Sequence, residues 1–456
     1  MQERYALTDR QVHRDLLHFV LVTPAWFWLA AAILGTFVLA AALMYGYVIY
    51  EGLWVTGLNR PVYWAFFITT FVFWIGISHA GVMISAILHL SQAEWRRPLT
   101  RMAEVLTVFS LLTAGLMVFI HTGRPWRTVY WLLPYDLDRG IFPNVRSPLV
   151  WDLAAISTYL TASSLLVFIG LIPDMATAAA HATGWRRRLY GALSLGFRGT
   201  PRQWRVHYLG NVLLAALVLA VFVSVHSIVS WDFGMSLVPT WHATVFGPYF
   251  VIGAMHSGVA AVAAVMAIFQ RATGLGKYIT SDHFDAIGRL LIAIATGWLF
   301  FFFLEVSFGL ITQENQELAV RQLQFLTWPY NLLSVIFILT AYIIPVPIWC
   351  VRRFRRMPSV MLWTGLLVQV GMWLERFLIF VPSLQFRQPF TFVWGSYTPS
   401  VPEITIVLGS FMFVSLGLLI FSKIFPIVPM FAVKEGQIVK QEIEIGRQKV
   451  PAVIKE

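Results

Sequence analysis

Residues Phe119–Trp126 read FIHTGRPW, and they end one long apolar run with a histidine and an arginine. Further along, Ser147–Asp152 read SPLVWD and begin the next apolar run with an aspartate near its start. Consecutive membrane helices run in opposite directions, so the end of one and the start of the next lie at the same membrane face. The pattern therefore predicts an acid, an imidazole and a fixed positive charge together at one face.

Composition places the whole chain in a membrane. Of its 456 residues 58% are hydrophobic and only 12% are charged, which is too little polar material to cover a soluble protein of this size. Ten apolar runs approach the ~20 residues that a bilayer requires. They lack period-two alternation, so the need to satisfy the backbone in lipid predicts helices. We predict an all-α integral membrane protein with ten transmembrane helices, at 24–50, 61–90, 100–122, 148–172, 207–230, 244–270, 284–311, 329–351, 358–382 and 401–425.

Positive charge in the short loops sets the expected orientation. The arginine-rich connections after the second, fourth, sixth and eighth helices, together with both termini, are predicted to be cytoplasmic. Topology alone then explains the net charge of +11, and no nucleic-acid partner is needed. Residues 1–23 are expected to form a cytoplasmic segment with no removable leader, containing a short amphipathic helix whose Leu16, Leu17, Phe19 and Val20 face the membrane interface. Residues 426–456 form a cytoplasmic tail.

A weak internal repeat suggests how the helices are grouped. His79-Ala80-Gly81-Val82 in the second helix resembles His256-Ser257-Gly258-Val259 in the sixth. Both helices begin at the outer face, which predicts parallel repeats about an axis along the membrane normal. The expected ten-helix domain therefore contains two four-helix bundles, 61–230 and 244–382. The first helix (24–60) and the tenth (401–425) are expected to be peripheral.

Three acid–base residues are predicted at the outer face: His121, Asp152 and Asp232. A partly buried carboxylate beside an imidazole or a guanidinium can take up a proton and release it again. Oxidation of a hydroquinone needs such an acceptor within hydrogen-bonding reach of each phenolic oxygen. Aromatic side chains can form the walls for the head group. The candidates, which are also ordinary interface residues, are Trp126, Tyr130, Trp131, Trp151 and Trp231.

Other polar residues inside the helices have two interpretations each. Glu375 beside Arg376 is interpreted as an internal ion pair rather than a catalytic group. His79 and His256, each followed by a small residue and glycine, either make hydrogen bonds at close helix contacts or belong to a proton path. The two outer arginines, Arg124 and Arg146, either anchor the long loop between them or face the site.

Four stretches together resemble a known family of membrane subunits. They are Asn59–Trp64 (NRPVYW), Trp74–Gly81 (WIGISHAG), His121–Trp126 (HTGRPW) and Arg146–Asp152 (RSPLVWD). In combination they resemble the NrfD/polysulfide-reductase membrane-subunit family. The sequence is most similar to the ten-helix, NrfD-like quinol-oxidising subunit of alternative complex III.

The resemblance implies a respiratory or photosynthetic subunit of the cell inner membrane. Such a subunit binds a quinol, preferably menaquinol, near the periplasmic face and passes electrons to an iron–sulfur cluster in a partner. The expected partners also include multihaem cytochrome c subunits and a second NrfD-like membrane subunit, and proton translocation has been proposed for that complex. The chain itself is expected to hold no haem, iron–sulfur cluster or metal, which agrees with its lone Cys350. The implied quinol-site residues are His121, Asp152, Asp232, Arg124, Trp126 and Arg146, and the implied proton-path residues are His79, His226, His256 and Glu305.

Two other classes of protein stay open at this stage. A haem-b quinol oxidoreductase subunit needs paired histidines at matched depth, and His79 with His256 is the single pair that the sequence offers. A secondary transporter also has parallel repeats and polar residues at mid-membrane. Transporters usually have broken helices as well, and the one candidate break is Pro345-Val346-Pro347.

Overall fold

Ten apolar helices make up the membrane domain in the computed structural model, which describes residues 7–126, 146, 148–386, 396–436, 440–445 and 448–453. Each is long and apolar enough to cross a bilayer, which confirms the predicted all-α integral membrane fold. We number them span 1 to span 10: Ala25–Glu51, Phe66–Leu90, Thr100–His121, Pro148–His181, Pro201–Gly234, Phe246–Ala272, Ser281–Thr312, Tyr330–Cys350, Pro358–Gln385 and Val401–Ile424.

Shorter elements connect or flank these spans. The α-helices among them are Asp9–Leu21, Gly184–Leu193, Asn315–Leu326, Arg352–Arg355 and Met430–Glu435, and the 3₁₀ turns are Leu53–Val55, Glu94–Arg96 and Leu275–Lys277. The tail ends in an antiparallel hairpin of the strands Lys440–Ile445 and Gln448–Val453, in which Ile445 lies opposite Gln448. These strands follow the last span, so they do not alter the all-helical membrane domain.

The two ends of the bundle differ in charge. The arginine-rich connections 91–99, 182–200, 273–280 and 351–357 lie at one end, together with the N-terminal and C-terminal helices. We call this the basic end. The other end, which we call the site end, has the connections 52–65, 235–245 and 313–329 and the described residues 122–126, 146, 386 and 396–400 of two longer connections.

The spans pack largely in sequence order. Span 2 packs on span 3, span 3 on span 4, and span 4 on span 5, whereas span 6 packs on spans 7 and 9 and span 8 packs on span 9. Spans 2 and 6 join these two groups through small residues. A Cβ on Gly258 would lie 2.9 Å from the backbone nitrogen of Ala80, so glycine permits the close approach. The division into two four-helix bundles stays a prediction.

Span 1 packs mainly on span 10, and span 10 joins this pair to the rest of the bundle. The Trp74 indole of span 2 donates to Ser410 Oγ of span 10 at 2.9 Å. On the other side, Tyr45 OH of span 1 donates to the carbonyl of Phe119 at 3.1 Å. The latter contact ties span 1 to the last turn of span 3, close to the site end.

Three prolines inside the spans, Pro173, Pro345 and Pro382, each leave a backbone carbonyl that accepts from a side chain of another helix. A proline has no N–H for the carbonyl four residues earlier, and in lipid that carbonyl needs another partner. One turn before Pro173 in span 4, the Ile169 carbonyl accepts from His207 Nε2 at 3.1 Å. One turn before Pro382 in span 9, the Leu378 carbonyl accepts from Gln324 Nε2 at 2.9 Å.

The third case lies in span 8, next to a π-helical turn at Leu339–Ile343. Pro345 cannot donate to the Ala341 carbonyl, which instead accepts from His256 Nε2 of span 6 at 3.0 Å. These contacts allow the helices to continue through or up to their prolines. Span 4 therefore extends past Pro173 to His181, and its predicted end at residue 172 was too early.

The N-terminal helix packs against the rest of the protein through its apolar face. Leu16, Leu17 and Val20 are buried, because the helix packs on span 10 and on the C-terminal helix. Its last carbonyls accept from cations: Lys423 Nζ donates to Phe19 O and Arg186 Nη1 donates to Val20 O, both at 2.6 Å. The prediction that these leucines and Val20 face the interface was wrong.

Removing a proline-carbonyl donor should destabilise the bundle. We expect Gln324→Leu to lower the free energy of unfolding by about 1–3 kcal/mol, because the buried Leu378 carbonyl loses its partner. The measurement is SDS-induced unfolding in mixed micelles, with the exposed Gln322→Leu on the same helix as a control. Adding Pro382→Ala should recover part of the loss, since alanine restores an N–H at that position. Equal stabilities of the Gln324 and Gln322 variants would contradict this account.

Candidate functional site

The structure places the three predicted acid–base residues at one end of three consecutive spans. His121 is the last residue of span 3, Asp152 lies near the start of span 4, and Asp232 lies in the last turn of span 5. Spans 3 and 4 contact each other, and so do spans 4 and 5. The alternating direction of the helices thus brings all three residues to the site end.

The two aspartates lie close enough for their charges to interact, and Asp152 is only 7% exposed. Two ionised carboxylates in one buried site repel each other, so a proton on one of them is favoured. The pair can therefore hold one proton between two carboxyl groups.

Each member of the site also has a buried polar atom without a hydrogen-bond partner among the described residues. These atoms are Nδ1 of His121, Oδ1 of Asp152 and Oδ1 of Asp232. Buried polar atoms are rarely left unpaired, and an exception calls for a ligand, an ion or water. Together the three atoms can accept or donate hydrogen bonds to the hydroxyl groups of a bound molecule.

Trp64 connects the histidine side of the site to the aspartate side. Its ring meets His121 edge-on at 6.1 Å and Phe233 at 5.8 Å, and it stacks on Trp241 at 6.0 Å with an interplanar angle of 16°. Phe233 directly follows Asp232 in the chain. No role was predicted for Trp64, although it belongs to the NRPVYW motif. That motif is the one feature of the sequence that points to this residue.

Two further tryptophans flank the aspartate pair. Trp151 precedes Asp152 and Trp231 precedes Asp232, and their rings lie 6.4 Å apart. Both are partly exposed on the outer surface of the bundle. A flat molecule that reaches the aspartates from the lipid would pass these rings.

The other predicted site residues lie at the border of the described segment. Arg124 is partly buried, Trp126 is 57% exposed, and Arg146 is exposed. Tyr130 and Trp131 lie outside the described residues, as does the rest of 127–145. The roles given to Arg124, Trp126 and Arg146 therefore stay predictions.

His79 and His226 form a buried pair that sequence spacing did not reveal. Their rings lie 4.4 Å apart and both side chains are fully buried. Both ring nitrogens of His226 and Nε2 of His79 have no hydrogen-bond partner among the described residues, whereas His79 Nδ1 lies 3.2 Å from Ser78 Oγ. The pair can bind a water molecule or exchange a proton, and its proton-path role stays a prediction.

His256 and Glu305 have defined structural partners. His256 Nε2 donates to the Ala341 carbonyl, and its ring stacks on Trp298 at 5.8 Å. Glu305 forms an ion pair with Arg321, which also lies 3.8 Å from Glu317. Their proton-path roles stay predictions. His79 packs on His226, and in the described part of the chain no ring contact joins it to His256.

Glu375 and Arg376 form the internal contact that the sequence predicted. Arg376 Nη1 lies 3.3 Å from Glu375 Oε2, and the guanidinium lies over the Phe250 ring at 4.4 Å. Glu375 Oε1 accepts from Tyr249 OH and from the Trp298 indole at 2.8 Å. Glu375 thus joins spans 6, 7 and 9.

Loss of the Glu375 carboxylate should impair folding. In Glu375→Leu, the Arg376 charge and the Tyr249 and Trp298 donors lose their shared partner inside the bundle. We expect the free energy of unfolding to fall by about 3–5 kcal/mol, measured by SDS titration of purified protein. Glu314→Leu, whose parent side chain is 58% exposed, is the control and should change it by less than about 0.5 kcal/mol. A Glu375 variant as stable as the control would refute the structural role.

Comparison with known proteins gives one family match. The model of the family described as "Polysulphide reductase, NrfD" matches residues 54–388, which include spans 2 to 9 and all three acid–base residues of the site. The match thus covers well over half of the chain.

Two curated proteins are also similar. One, from Halobacterium salinarum, is described as a putative dimethyl sulfoxide reductase membrane subunit; it is 23% identical over 262 residues, covering 56% of this chain and 55% of that protein. The other is a selenate reductase subunit of Mesobacillus selenatarsenatis, 20% identical over 349 residues, covering 73% of this chain and 76% of that protein. The chain thus spans about half the length of the first relative and about three quarters of the second.

Proposed function

Because this chain belongs to the NrfD polysulphide reductase family, we propose that it is the quinol-oxidising membrane subunit of an electron-transfer complex. The two similar proteins are named as subunits of reductases, which supports a role within a redox complex rather than alone. The observation that carries the proposal is the site itself. Three acid–base residues on three spans each have, at the site end, a buried atom with no hydrogen-bond partner in the described part of the chain.

The chemistry needs two proton acceptors and one electron acceptor. A hydroquinone that becomes a quinone releases two protons and two electrons. His121 Nδ1 would take the proton of one hydroxyl, and the ionised carboxylate of the Asp152–Asp232 pair would take the other. Deprotonation makes the ring easier to oxidise, and general-base groups at hydrogen-bonding distance provide it. The electrons pass to an iron–sulfur cluster on a partner subunit.

Aromatic contacts support a flat, lipid-soluble substrate. Trp64, Phe233 and Trp241 form a packed wall beside His121, which suits the face of a quinol ring. Trp151 and Trp231 flank the aspartates on the outer surface. The head group would lie between these two groups of rings, and menaquinol is the quinol that we favour.

The type of complex to which the subunit belongs is a further part of the proposal. In the alternative complex III type, the electrons continue to multihaem cytochrome c subunits, beside a second NrfD-like membrane subunit. The names of the two relatives instead favour delivery to a reductase catalytic subunit. Both versions use the same quinol oxidation and differ in the terminal acceptor.

Orientation follows from charge. Arginine-rich loops remain in the cytoplasm of inner-membrane proteins, so the basic end would face the cytoplasm and the site end the periplasm. Protons released from the quinol would then leave on the outer side. The His79–His226 pair, deeper in the first group of helices, would serve any coupled proton translocation.

The two alternative classes have less support. A haem-b subunit would need His79 and His256 as ligands of one iron, but His79 packs against His226 and His256 donates to a backbone carbonyl. A transporter would need broken helices at mid-membrane. Here spans 4 and 9 continue through Pro173 and Pro382. The carbonyls that these prolines leave unpaired accept hydrogen bonds from side chains of other helices.

Replacing one carboxylate tests the proposal. Asp152→Asn keeps the shape of the side chain but removes an acceptor, so we expect quinol-driven electron transfer to fall by about 10²–10⁴-fold. The measurement is reduction of the partner's electron acceptor by quinol in the purified complex, with copurification as the check on assembly. Asp282→Asn at the basic end, where Asp282 pairs with Arg356 at 2.7 Å, is the matched control.

His121→Gln serves as the second variant and should also lose activity. An Asp152→Asn complex that assembles and turns over at the wild-type rate would overturn the assignment of the site. So would a wild-type complex that transfers no electrons from any quinol.

A further inference from the structure

The connection between spans 4 and 5 is strongly basic and has no acidic residue near it in the chain. From residue 175 to residue 231 the sequence contains neither aspartate nor glutamate. Five exposed arginines lie in this connection and in the first turns of span 5, and we call them the arginine surface: Arg187, Arg188, Arg198, Arg202 and Arg205. They lie at the opposite end of the bundle from the aspartate pair, so the proposed quinol reaction gives them no role.

The arginine surface differs from the rest of the basic end in its lack of counter-charges. Each of the other three basic-end connections has a cation that pairs with a carboxylate: Arg97 with Glu94, Lys277 with Asp15 and Arg356 with Asp282. Within the described ranges, none of the five side chains of the arginine surface makes an ion pair or a hydrogen bond. Their counter-charges must come from outside this part of the chain.

Span 5 shows where the hydrocarbon of the membrane lies relative to these arginines. One face of the span is exposed at three- and four-residue intervals, and all its exposed side chains are apolar: Val206, Leu209, Leu213, Leu217, Ala220 and Val223. At 1.5 Å per residue this stripe is ~26 Å long, close to the ~30 Å of a hydrocarbon core. It is therefore the lipid-facing side of span 5.

Two members of the arginine surface continue this stripe toward the basic end. Arg202 lies four residues before Val206, and Arg205 lies four residues before Leu209, so each is on the same helix face as the apolar residue that follows it. One helical turn is ~5 Å, which places both side chains just beyond the hydrocarbon. Their guanidinium groups thus lie at the level of the lipid head groups.

The short helix Gly184–Leu193 lies at the same border. Tyr190 OH donates to the carbonyl of Ile424, the last residue of span 10, at 2.7 Å. The opposite face of the helix exposes Arg187, Arg188 and Trp185, whose side chain is 63% exposed. A basic helix with an exposed tryptophan is typical of a helix on a membrane surface.

We propose that the arginine surface binds the phosphate groups of anionic phospholipids in the leaflet at the basic end. Arg202 and Arg205 would contact the head groups of the lipids whose chains cover the stripe of span 5. A guanidinium can give a phosphate two parallel hydrogen bonds together with its charge. A zwitterionic head group offers the same phosphate but brings its own cation, so anionic lipids gain more from five unpaired arginines. An acidic protein docked from the aqueous side would not explain why two of the arginines continue a lipid-facing stripe.

The test uses the purified, full-length protein in its complex, stripped of lipid and then mixed with equal amounts of phosphatidylglycerol and phosphatidylethanolamine. Mass spectrometry of the lipid that copurifies measures the ratio of the two. We expect the wild type to retain phosphatidylglycerol about tenfold better at low salt. In 1 M salt the preference should largely disappear, because the Debye length is then about 3 Å.

The double variant Arg202→Gln/Arg205→Gln should lose most of the preference, since each arginine near the surface contributes about fivefold. Arg202→Lys/Arg205→Lys keeps both charges and should retain it. The matched control is Arg10→Gln/Arg14→Gln, which removes two exposed charges from the N-terminal helix at the same end. There Asp9 and Asp15 accompany the arginines, and Arg14 pairs with Asp15 at 3.4 Å, so the control should behave as the wild type.

Three results would overturn the proposal: no preference in the wild type, a preference that Arg202→Gln/Arg205→Gln leaves unchanged, or an equal loss in the control. Loss of a partner subunit from that variant with an unchanged lipid ratio would identify a protein-docking surface instead. Displacement of phosphatidylglycerol by millimolar inorganic phosphate, without loss in 1 M sodium chloride, would identify a free-phosphate site. If the double variant does not assemble, Arg187→Gln/Arg188→Gln on the short helix should lower the preference in the same way. A preference that persists in Asp152→Asn would separate this surface from the quinol reaction.

Discussion

A backbone carbonyl inside a bilayer needs a hydrogen-bond donor, and this requirement organises the helix contacts of the protein. Prolines at positions 173, 345 and 382 each leave one carbonyl without its usual N–H. Side chains from other helices supply the donors: His207, His256 and Gln324. Each contact fixes the rotation of one helix against another. The same need explains why His256, which the sequence offered as a proton carrier, is occupied by a structural bond.

The site end differs in where its unpaired polar atoms lie. Side chains of the framework bond across helices, as in the contacts of Glu375 and Glu305. Even there some buried atoms, such as Glu375 Oε2, have no hydrogen-bond partner among the described residues. At His121, Asp152 and Asp232, three such atoms lie at the same end of neighbouring spans. Unpaired polar atoms cost free energy, and one bound molecule can pair all three.

The sequence predicted where the helices lie in the chain better than which helices pack against each other. Run length and apolarity located ten spans, and the alternation of direction brought His121, Asp152 and Asp232 to one end. The end of span 4 was misplaced, because a proline stops a helix unless a distant residue supplies the missing donor. The approach of Asp152 to Asp232, the His79–His226 pair and the position of Trp64 depend on how helices rotate and which ones touch. The lengths of the short loops do not determine those contacts, and no local sequence pattern indicates them. The roles of Arg124, Trp126 and Arg146 remain predictions from the sequence.

The proline contacts also constrain the order in which such a chain can evolve. A donor such as Gln324 is tolerable before the proline arrives, because it can bond elsewhere or turn toward water. A proline that arrives before the donor costs about 1–3 kcal/mol, since its orphaned carbonyl stays unpaired. We therefore expect the donor to be the older substitution, and a reversion to remove the proline first. Ancestral reconstructions of this membrane domain should show that asymmetry at all three positions.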